Sequence, residues 1–238
     1  MSAATFFIAG TDTGVGKTHV TAALLRAGRD RGIAVAGMKP VATGAEQIDG
    51  RWVSPDALQI ASASGQAGPY EELNPYCLRD AVSPNIAADR AQITIDIGLI
   101  AAIVRRLQIN RDLLLIEGSG GWHAPISARE SMADVARALA SPVILVIGLR
   151  LGCLSHARLT RESIEAHGCT LAGWVGNHID PGFATARENL ATLARLMDSA
   201  PLAVVPFAGV HAHDGAHVRA ALARLLEADS ARHRTRVT

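Results

Sequence analysis

The turn between the first apolar run and the first helical pattern constrains this chain more than any other feature. Residues 5–10 read TFFIAG, a run of strand length, and apolar residues recur at helical spacing from Val20 to Ala27. Between them lies GTDTGVGKT (10–18), which is rich in glycine and ends in a lysine and a threonine. Successive backbone N–H groups in such a turn can surround a phosphate, and the N-terminus of the following helix adds positive potential. The stretch therefore predicts a phosphate-binding loop between a strand and a helix.

The loop departs by one position from the G-x-x-x-x-G-K-[ST] pattern. That pattern requires glycine at position 11, where this chain has Thr11, and Gly10 lies one residue too early. Lys17 and Thr18 still occupy the positions that contact the outer phosphates and Mg²⁺ in such loops. The simpler alternative is a glycine-rich turn with an incidental surface lysine, and the strand and helix on either side argue against it.

Apolar runs alternate with helical patterns along the rest of the chain. Three runs are apolar on both faces, which is typical of strands in a covered parallel sheet: 113–118, 143–148 and 171–177. Helical patterns span 97–107, 155–167 and 183–197. We predict a doubly wound, mainly parallel α/β sheet of the P-loop NTPase type, with helices on both faces.

The organisation of the chain indicates one domain over residues 1–238. Residues 65–92 interrupt the alternation with prolines and glycines, but apolar and aromatic residues are interleaved there, so we expect a structured excursion and not a linker. The polar, basic end of the chain at about 229–238 is expected to fray.

Composition excludes several classes of protein. A formal net charge of +1 gives no general field that would recruit nucleic acid or an anionic membrane surface. The three cysteines show no C-x-x-C spacing, so a disulfide framework or a structural zinc site is not expected. The N-terminus has no basic region before its apolar run, and no apolar stretch reaches the roughly 18 residues that span a bilayer. We expect a cytoplasmic globular protein.

The basic residues are distributed unevenly between two types. Of 23 basic residues only Lys17 and Lys39 are lysines. Lys39 ends the second predicted strand (35–41), at the edge where open α/β sheets bind ligands. A compact ammonium can follow a charge that moves during a reaction better than a planar guanidinium can. Both lysines are therefore predicted to contact anions in one site, although a surface lysine before a turn is the alternative at position 39.

Two carboxylates are candidates for holding a metal beside the phosphates. Glu117 closes the apolar strand LLLIE, where an acid of the Walker-B type would project toward the phosphate loop. An ordinary acid at a strand end that faces water is the alternative. Asp56 follows Ser54 and Pro55 at a predicted helix start, so from composition alone capping and the helix dipole are the favoured explanation. From the residues alone, Asp56 is therefore the weaker of the two candidates for a metal ligand.

Eight motifs together resemble one family. The motifs, in chain order, are GTDTGVGKT, KPVATG, SPDAL, NPYCL, SPNIAA, EGSGGW, LGCLSHA and LAGWVGN. Their order and spacing, from about residue 5 to residue 207, are similar to those of the dethiobiotin synthetase family. The family's own loop carries Thr–Asp where the strict pattern fails, so the irregularity at position 11 is expected.

The resemblance implies an ATP-dependent ring closure. The implied substrates are 7,8-diaminononanoate, CO2 or bicarbonate, and ATP with Mg²⁺. One amine takes up CO2 as a carbamate, the carbamate attacks the γ-phosphate, and the second amine closes the ureido ring of dethiobiotin. The family also implies a homodimer in which the active sites lie at the subunit interface.

The resemblance further assigns roles to residues that match the motifs. It implies catalytic roles for Lys39, Lys17 and Thr13, and metal ligation by Thr18, Asp56 and Glu117. It implies nucleotide contacts for Gly14, Val15, Gly16, Lys17, Thr18, His19, Asp56, Glu117, Gly118, Ser119, Gly120, Asn177, Pro206 and Phe207, with Asn177 reading the adenine edge. It implies substrate contacts for Lys39, Thr43, Gly152, Cys153 and Ser155.

The sequence departs from the family pattern at a few places. Gly14 stands where some members carry glutamate, and Ser155 replaces a frequent asparagine at the start of the helix that receives the substrate carboxylate from the partner subunit. Past Phe207 the match thins. Four residues there could form a metal cluster, although a polar loop before a helix is the favoured interpretation: His211, His213, Asp214 and His217.

Two other functions compete with this one. ParA/MinD-like switch ATPases carry K-G-G-x-G-K-[ST], but here Asp12 takes the place of the early lysine and Thr13 that of the second glycine. The C-terminal helical pattern at 218–226 bears only two arginines, which favours packing over membrane docking. A related synthase of corrinoid synthesis would need a glutaminase domain, for which this chain has no room.

Overall fold

The computed structural model describes residues 3–207 and 215–235, in which strands and helices alternate. The strands are β1 (Ala4–Gly10), β2 (Val35–Met38), β3 (Val41–Ala42), β4 (Glu46–Ile48), β5 (Arg51–Val53), β6 (Tyr76–Cys77), β7 (Leu113–Glu117), β8 (Val143–Leu149), β9 (Leu171–His178) and β10 (Ala203–Val205). The helices are α1 (Lys17–Arg29), α2 (Pro55–Ser64), α3 (Tyr70–Leu73), α4 (Pro84–Ala91), α5 (Ile97–Leu107), α6 (Met132–Ala138), α7 (Cys153–Ala166), α8 (Ala186–Leu196) and α9 (Gly215–Thr235).

The main sheet is parallel and covered on both faces. Its strand order is β10-β9-β8-β1-β7-β2, and every neighbouring pair runs parallel. Alternate residues of β1 enter opposite cores, because Phe6 and Ile8 pack with α1, α2 and α9, whereas Phe7 and Ala9 pack with the layer that contains α4 to α8. The predicted doubly wound α/β fold is confirmed.

The apolar runs became strands where the sequence indicated. The three runs that are apolar on both faces form β7, β8 and β9. The helical pattern at 155–167 begins two residues earlier, at Cys153, because Gly152 adopts a left-handed conformation (φ 92°) and starts the helix. The excursion at 65–92 is ordered and contributes α3, β6 and α4.

The β4–β5 pair and helix α6 are among the elements that the sequence did not predict. The antiparallel pair β4–β5 consists of strands of three residues that are almost entirely exposed, so no buried face marks them in the sequence. Helix α6 is short, and its start is marked only by the spacing of Ser131 and Asp134. The Ser131 N–H donates to the Asp134 carboxylate at 2.8 Å, which stabilises the first turn.

The edge strand β2 is closed by a side chain. The amide of Gln66 accepts from the Gly37 N–H at 2.7 Å and donates to the Gly37 carbonyl at 3.1 Å, as a neighbouring strand would. A Cβ on Gly37 would lie 2.3 Å from Ile60 Cγ2, so α2 packs against β2 more closely than any side chain allows. This contact brings the end of β2 and the start of α2 together.

The C-terminal helix packs on the face of the sheet that carries α1. Val218, Leu222 and Leu225 are buried there, and the Arg224 guanidinium donates to the Leu202 carbonyl. The backbone is helical to Thr235, so the segment that we expected to fray is helical over 229–235, and 236–238 lie outside the described residues. His211, His213 and Asp214 of the suggested cluster also lie outside them, as does the side chain of His217. Among the helices described, none combines the length and hydrophobicity needed to span a membrane.

Candidate active site

A large cleft lies at the carboxyl ends of the central strands. It measures about 820 Å³ and opens beside the loop after β1, at the point where the chain order on the two sides of β1 diverges. Ten residues predicted for the site line it: Thr13, Gly14, Gly16, Lys17, Thr18, Lys39, Thr43, Asp56, Ser119 and Gly120. The structure thus brings together residues from the phosphate loop, β2, α2 and the loop after β7.

Backbone conformation explains the glycines of the phosphate loop. Gly16 starts α1 with φ 87°, and a Cβ there would lie 2.1 Å from Asn177 Nδ2. A Cβ on Gly10 would lie 2.8 Å from Val15 Cγ2. Thr11 continues the sheet, since its N–H donates to the Val146 carbonyl at 3.1 Å. The close approach therefore falls at Gly10 and not at position 11, which accounts for the irregular spacing.

Lys17 is a buried ammonium inside this loop. Its side chain donates to the Asp12 carbonyl at 3.1 Å, and the residue is only 7% exposed. Burial, with the nearby charge of Lys39, lowers the pKa of Lys17 to about 8. The Lys17 ammonium is therefore partly deprotonated in mildly alkaline solution.

Lys39 lies between two carboxylates. Its ammonium is 2.6 Å from Glu117 Oε1, 3.1 Å from Asp56 Oδ2 and 3.2 Å from the Gly118 carbonyl oxygen. Burial alone would lower the pKa of Lys39, but the charges of Glu117 and Asp56 outweigh it and raise that pKa above its ordinary value. Asp56 is thus a member of the site, in addition to standing in the first turn of α2.

The oxygen atoms around Glu117 suit a hard divalent cation. Glu117 is fully buried, Thr18 Oγ1 donates to its Oε1 at 2.7 Å, and no described residue bonds to its Oε2. A hydroxyl and two carboxylates with an unsatisfied buried oxygen form the kind of set that Mg²⁺ takes while keeping part of its water shell. The side chains of Thr18, Glu117 and Asp56 therefore fit the metal that the sequence predicts.

The loop after β7 lies close against the phosphate loop. The Gly118 N–H donates to the Ile8 carbonyl at 3.0 Å. Gly120 has φ 64°, and a Cβ there would lie 2.8 Å from Ala124 Cβ. Gly120 therefore has to be glycine for this turn to form beside Thr13.

Sequence reasoning missed an ion pair behind the loop. Arg150, at the end of β8, lies 2.5 Å from Asp12 Oδ2, and the other carboxylate oxygen of Asp12 accepts from the Thr13 N–H at 2.7 Å. The two partners are 138 residues apart, and no local pattern marks Arg150. Seven further residues line the cleft although the sequence predicts no role for them: Ala81, Val82, Ser83, Pro84, Gly121, Ala124 and Pro125.

Several predicted residues lie away from this cleft. Asn177 is buried, and its side-chain amide donates to the Val15 carbonyl at 2.9 Å, beneath the phosphate loop. His19 is half-buried in the first turn of α1, and Pro206 and Phe207 are exposed after β10.

The segment predicted to meet the substrate carboxylate is at the start of α7. Gly152 and Ser155 are exposed there, Cys153 is buried, and the adjacent Leu151 is 90% exposed. None of these residues lines the cleft of this chain.

Comparisons with known proteins agree with the fold and the motifs. A family model described as an AAA domain matches residues 4–210. The ATP-dependent dethiobiotin synthetase BioD of Aromatoleum aromaticum is 49% identical over 217 residues, which are 91% of this chain and 96% of that protein. The protein of the same name from Chromohalobacter salexigens is 47% identical over 212 residues, 85% of this chain and 89% of that protein. Among solved structures, the MinD cell division protein of Aquifex aeolicus superposes with a TM-score of 0.60 at 14% identity, over 94% of this chain and 98% of that one, a likeness of fold alone.

Proposed function

Because the chain belongs to the ATP-dependent dethiobiotin synthetase family, we propose that it is a ligase that closes the ureido ring of dethiobiotin on 7,8-diaminononanoate, with CO2 and ATP as co-substrates. One observation carries the proposal: Lys39, the second of only two lysines in the chain, has its ammonium between Glu117 and Asp56 beside the phosphate loop. A phosphate loop alone would serve many reactions. A second ammonium placed toward the outer phosphates serves a reaction in which another anion meets the γ-phosphate.

The phosphate loop holds the nucleotide in this proposal. Backbone N–H groups from Gly14 to Thr18 surround the β-phosphate, and Lys17 neutralises charge on the β- and γ-phosphates. Thr18, Asp56 and Glu117 would hold Mg²⁺, which would supply charge neutralisation beside the phosphates. Ser119 and Gly120 line the cleft, and with Gly118 just before them they would face the γ-phosphate.

The reaction balances in three steps. An amine of the substrate adds to CO2 and loses a proton, which gives a carbamate. A carbamate oxygen attacks the γ-phosphorus of ATP, the bond to the β-phosphate oxygen breaks, and ADP departs. The second amine attacks the carbonyl carbon of the resulting carbamic–phosphoric anhydride, phosphate leaves with the electron pair of the C–O bond, and loss of a proton yields the ring.

Lys39 stabilises the charge that moves through these steps. Its three N–H donors have three acceptors in the free protein, the oxygens of Glu117, Asp56 and Gly118. If Glu117 and Asp56 held a divalent cation, N–H donors of the Lys39 ammonium would be free for the carbamate and the transferred phosphoryl group. Thr13, exposed at the mouth of the loop, approaches the same oxygens.

The remaining predicted contacts concern the adenine, the diamine and the substrate carboxylate. We assign the adenine to Asn177, Pro206 and Phe207, and the diamine to Thr43 on the cleft wall. The exposed start of α7 would receive the substrate carboxylate of a partner subunit, because free backbone N–H groups at a helix start attract anions. The active form is then a cytoplasmic homodimer with its sites at the subunit junction.

The test is phosphate release from MgATP, with 7,8-diaminononanoate and bicarbonate each supplied or withheld and the product identified by mass spectrometry. We expect phosphate release only with both co-substrates, together with the mass of dethiobiotin. Hydrolysis that is indifferent to the diamine would refute the proposal and favour a switch ATPase of the MinD type. Full activity of a monomer in size-exclusion chromatography would contradict the dimeric site.

A further inference from the structure

The main chain of Lys39 is held by a segment outside the main sheet. The Lys39 N–H donates to the Leu73 carbonyl at 2.8 Å, and the Lys39 carbonyl accepts from Asn74 Nδ2 at 2.6 Å. Both partners lie at the end of α3, in the excursion that the sequence marked at 65–92. The residue whose ammonium bridges the two carboxylates is thus fixed on both sides of its Cα atom.

The hydroxyl of Tyr70 connects the same segment to α2. It accepts from the Ser54 N–H at 2.6 Å and donates to Asn74 Oδ1 at 3.0 Å. Ser54 is the residue that starts α2, and Asp56 stands in the first turn of that helix. One continuous chain of hydrogen bonds therefore runs from the backbone that precedes Asp56, through Tyr70 and Asn74, to the backbone of Lys39.

Burial makes this chain of hydrogen bonds hard to replace with water. Ser54 and Asn74 are each 2% exposed, and Lys39 is 3% exposed. A buried donor or acceptor that loses its partner is costly, so each link favours one relative placement of α3, α2 and β2.

The ion pair of Lys39 with Asp56 cannot set that placement by itself. The Asp56 side chain is 49% exposed, the lysine side chain has four rotatable methylenes, and a half-exposed ion pair of this kind is weak. A fixed separation between the two side chains therefore requires that their main chains be fixed.

We propose that Tyr70 and Asn74 are positioning residues, whose hydrogen bonds set the distance between Lys39 and the Asp56 carboxylate. Neither side chain lines the cleft, so both act through the residues they hold. The inference rests on the proposed function in that Lys39 and Asp56 act on the reacting phosphate, where small displacements have large effects on rate. The proposal thus assigns a role in the active site to two side chains of the segment 65–92 that do not contact the cleft.

The test compares Tyr70→Phe with Tyr76→Phe. Each change removes one phenol hydroxyl that accepts a backbone N–H, from Ser54 in the first case and, at 2.8 Å, from Asp96 at the start of α5 in the second. Tyr76→Phe thus removes a comparable hydroxyl in the same part of the chain, and the hydrogen bond described for that hydroxyl reaches neither the Lys39 carbonyl nor α2.

We expect Tyr70→Phe to lower kcat at least about tenfold and to raise the half-saturating Mg²⁺ concentration about tenfold, because Asp56 no longer has a fixed place. Its KM for ATP should stay within about twofold of the wild-type value, since the phosphate loop is unchanged. Tyr76→Phe should leave all three values within about twofold. Equal kinetics in the two variants, with similar losses in unfolding temperature, would overturn the inference and leave Tyr70 a purely structural residue.

A second variant and a second measurement test the same inference independently. Asn74→Ala removes the hydrogen bond to the Lys39 carbonyl and should give the kinetic pattern expected of Tyr70→Phe. It replaces Tyr70→Phe in the test if that variant does not fold. Mg²⁺ binding is also measured by calorimetry with a non-hydrolysable ATP analogue and no diamine. A wild-type protein that forms no dethiobiotin would refute the proposed function, whereas unchanged Mg²⁺ affinity in both variants would overturn the positioning role.

Discussion

The lowered pKa of Lys17 predicts that nucleotide binding takes up a proton in mildly alkaline solution. Burial and the charge of Lys39 place this pKa at about 8 in the free protein. The phosphates of bound ATP bring negative charge to the ammonium, which raises the pKa well above the working range. The bound state therefore requires the proton that the free state has partly lost, and affinity for MgATP falls as the pH rises above about 8.

The size of the effect follows from the titration of one group. With a pKa of about 8, roughly three quarters of the free molecules have a neutral Lys17 at about pH 8.5, and about a tenth at about pH 7. Binding should then take up about 0.75 proton at the higher pH and about 0.1 at the lower. Above pH 8 the dissociation constant should rise toward about tenfold per pH unit, which is about 1.4 kcal/mol.

Isothermal titration calorimetry measures this number of protons directly. The binding enthalpy of MgATP is recorded in buffers that differ in ionisation enthalpy, and the slope gives the protons exchanged. Lys17→Arg is the control, because a guanidinium stays charged in this range, so its uptake should be close to zero and its affinity independent of pH. Uptake near zero in the wild type would show that Lys17 is charged in the free protein and that the burial argument is wrong. Equal uptake in the two proteins would assign the proton to another group.

Three further predictions concern the geometry of the cleft. Lys39→Arg should bind ATP within about threefold of the wild type by calorimetry and lose about 100-fold in kcat, because charge survives while the compact ammonium does not; kcat near the wild-type value would remove Lys39 from its role. Glu117→Gln should raise the half-saturating Mg²⁺ concentration about tenfold or more, a loss of affinity typical of altered metal sites. An unchanged Mg²⁺ titration would argue against ligation by Glu117. Gly16→Ala should cost about 1–3 kcal/mol in denaturant unfolding, through the contact with Asn177 and the positive φ. Gly14→Ala, with φ 72° and no atom within 4 Å, should cost only about 1 kcal/mol, and equal losses would refute the steric argument.

The parts of the site that the sequence predicted are those that a local pattern marks. Lys17 and Thr18 follow a glycine-rich turn, and Lys39 and Glu117 end apolar runs, so the rule that parallel strands end at one edge of a sheet was enough to bring them together. The buried strands were also predictable from local patterns, because a short uninterrupted apolar run is typical of a strand that is covered on both faces.

The parts that the sequence did not predict depend on contacts between distant segments. Arg150 reaches Asp12 only because β8 lies next to β1 in the sheet. The order of the strands along the chain does not predict that they are neighbours. The exposed strands β4 and β5 bury no face and leave no periodic signal. Asp56 could be explained by helix capping until the distance to Lys39 was known.

The use of lysine at only two positions follows from the geometry of the ammonium. At position 39 three acceptors surround one nitrogen at 2.6, 3.1 and 3.2 Å, which matches the three donors of an ammonium and not the planar fork of a guanidinium. At position 17 burial has moved the pKa close to physiological pH, a response that a guanidinium does not show. The other 21 basic residues of the chain are arginines. Since the charge of Lys39 lowers the pKa of Lys17, whereas Glu117 and Asp56 raise it, removal of the charge at position 39 should raise the pKa of Lys17. A reaction that moves negative charge across the cleft then has both cations within its reach.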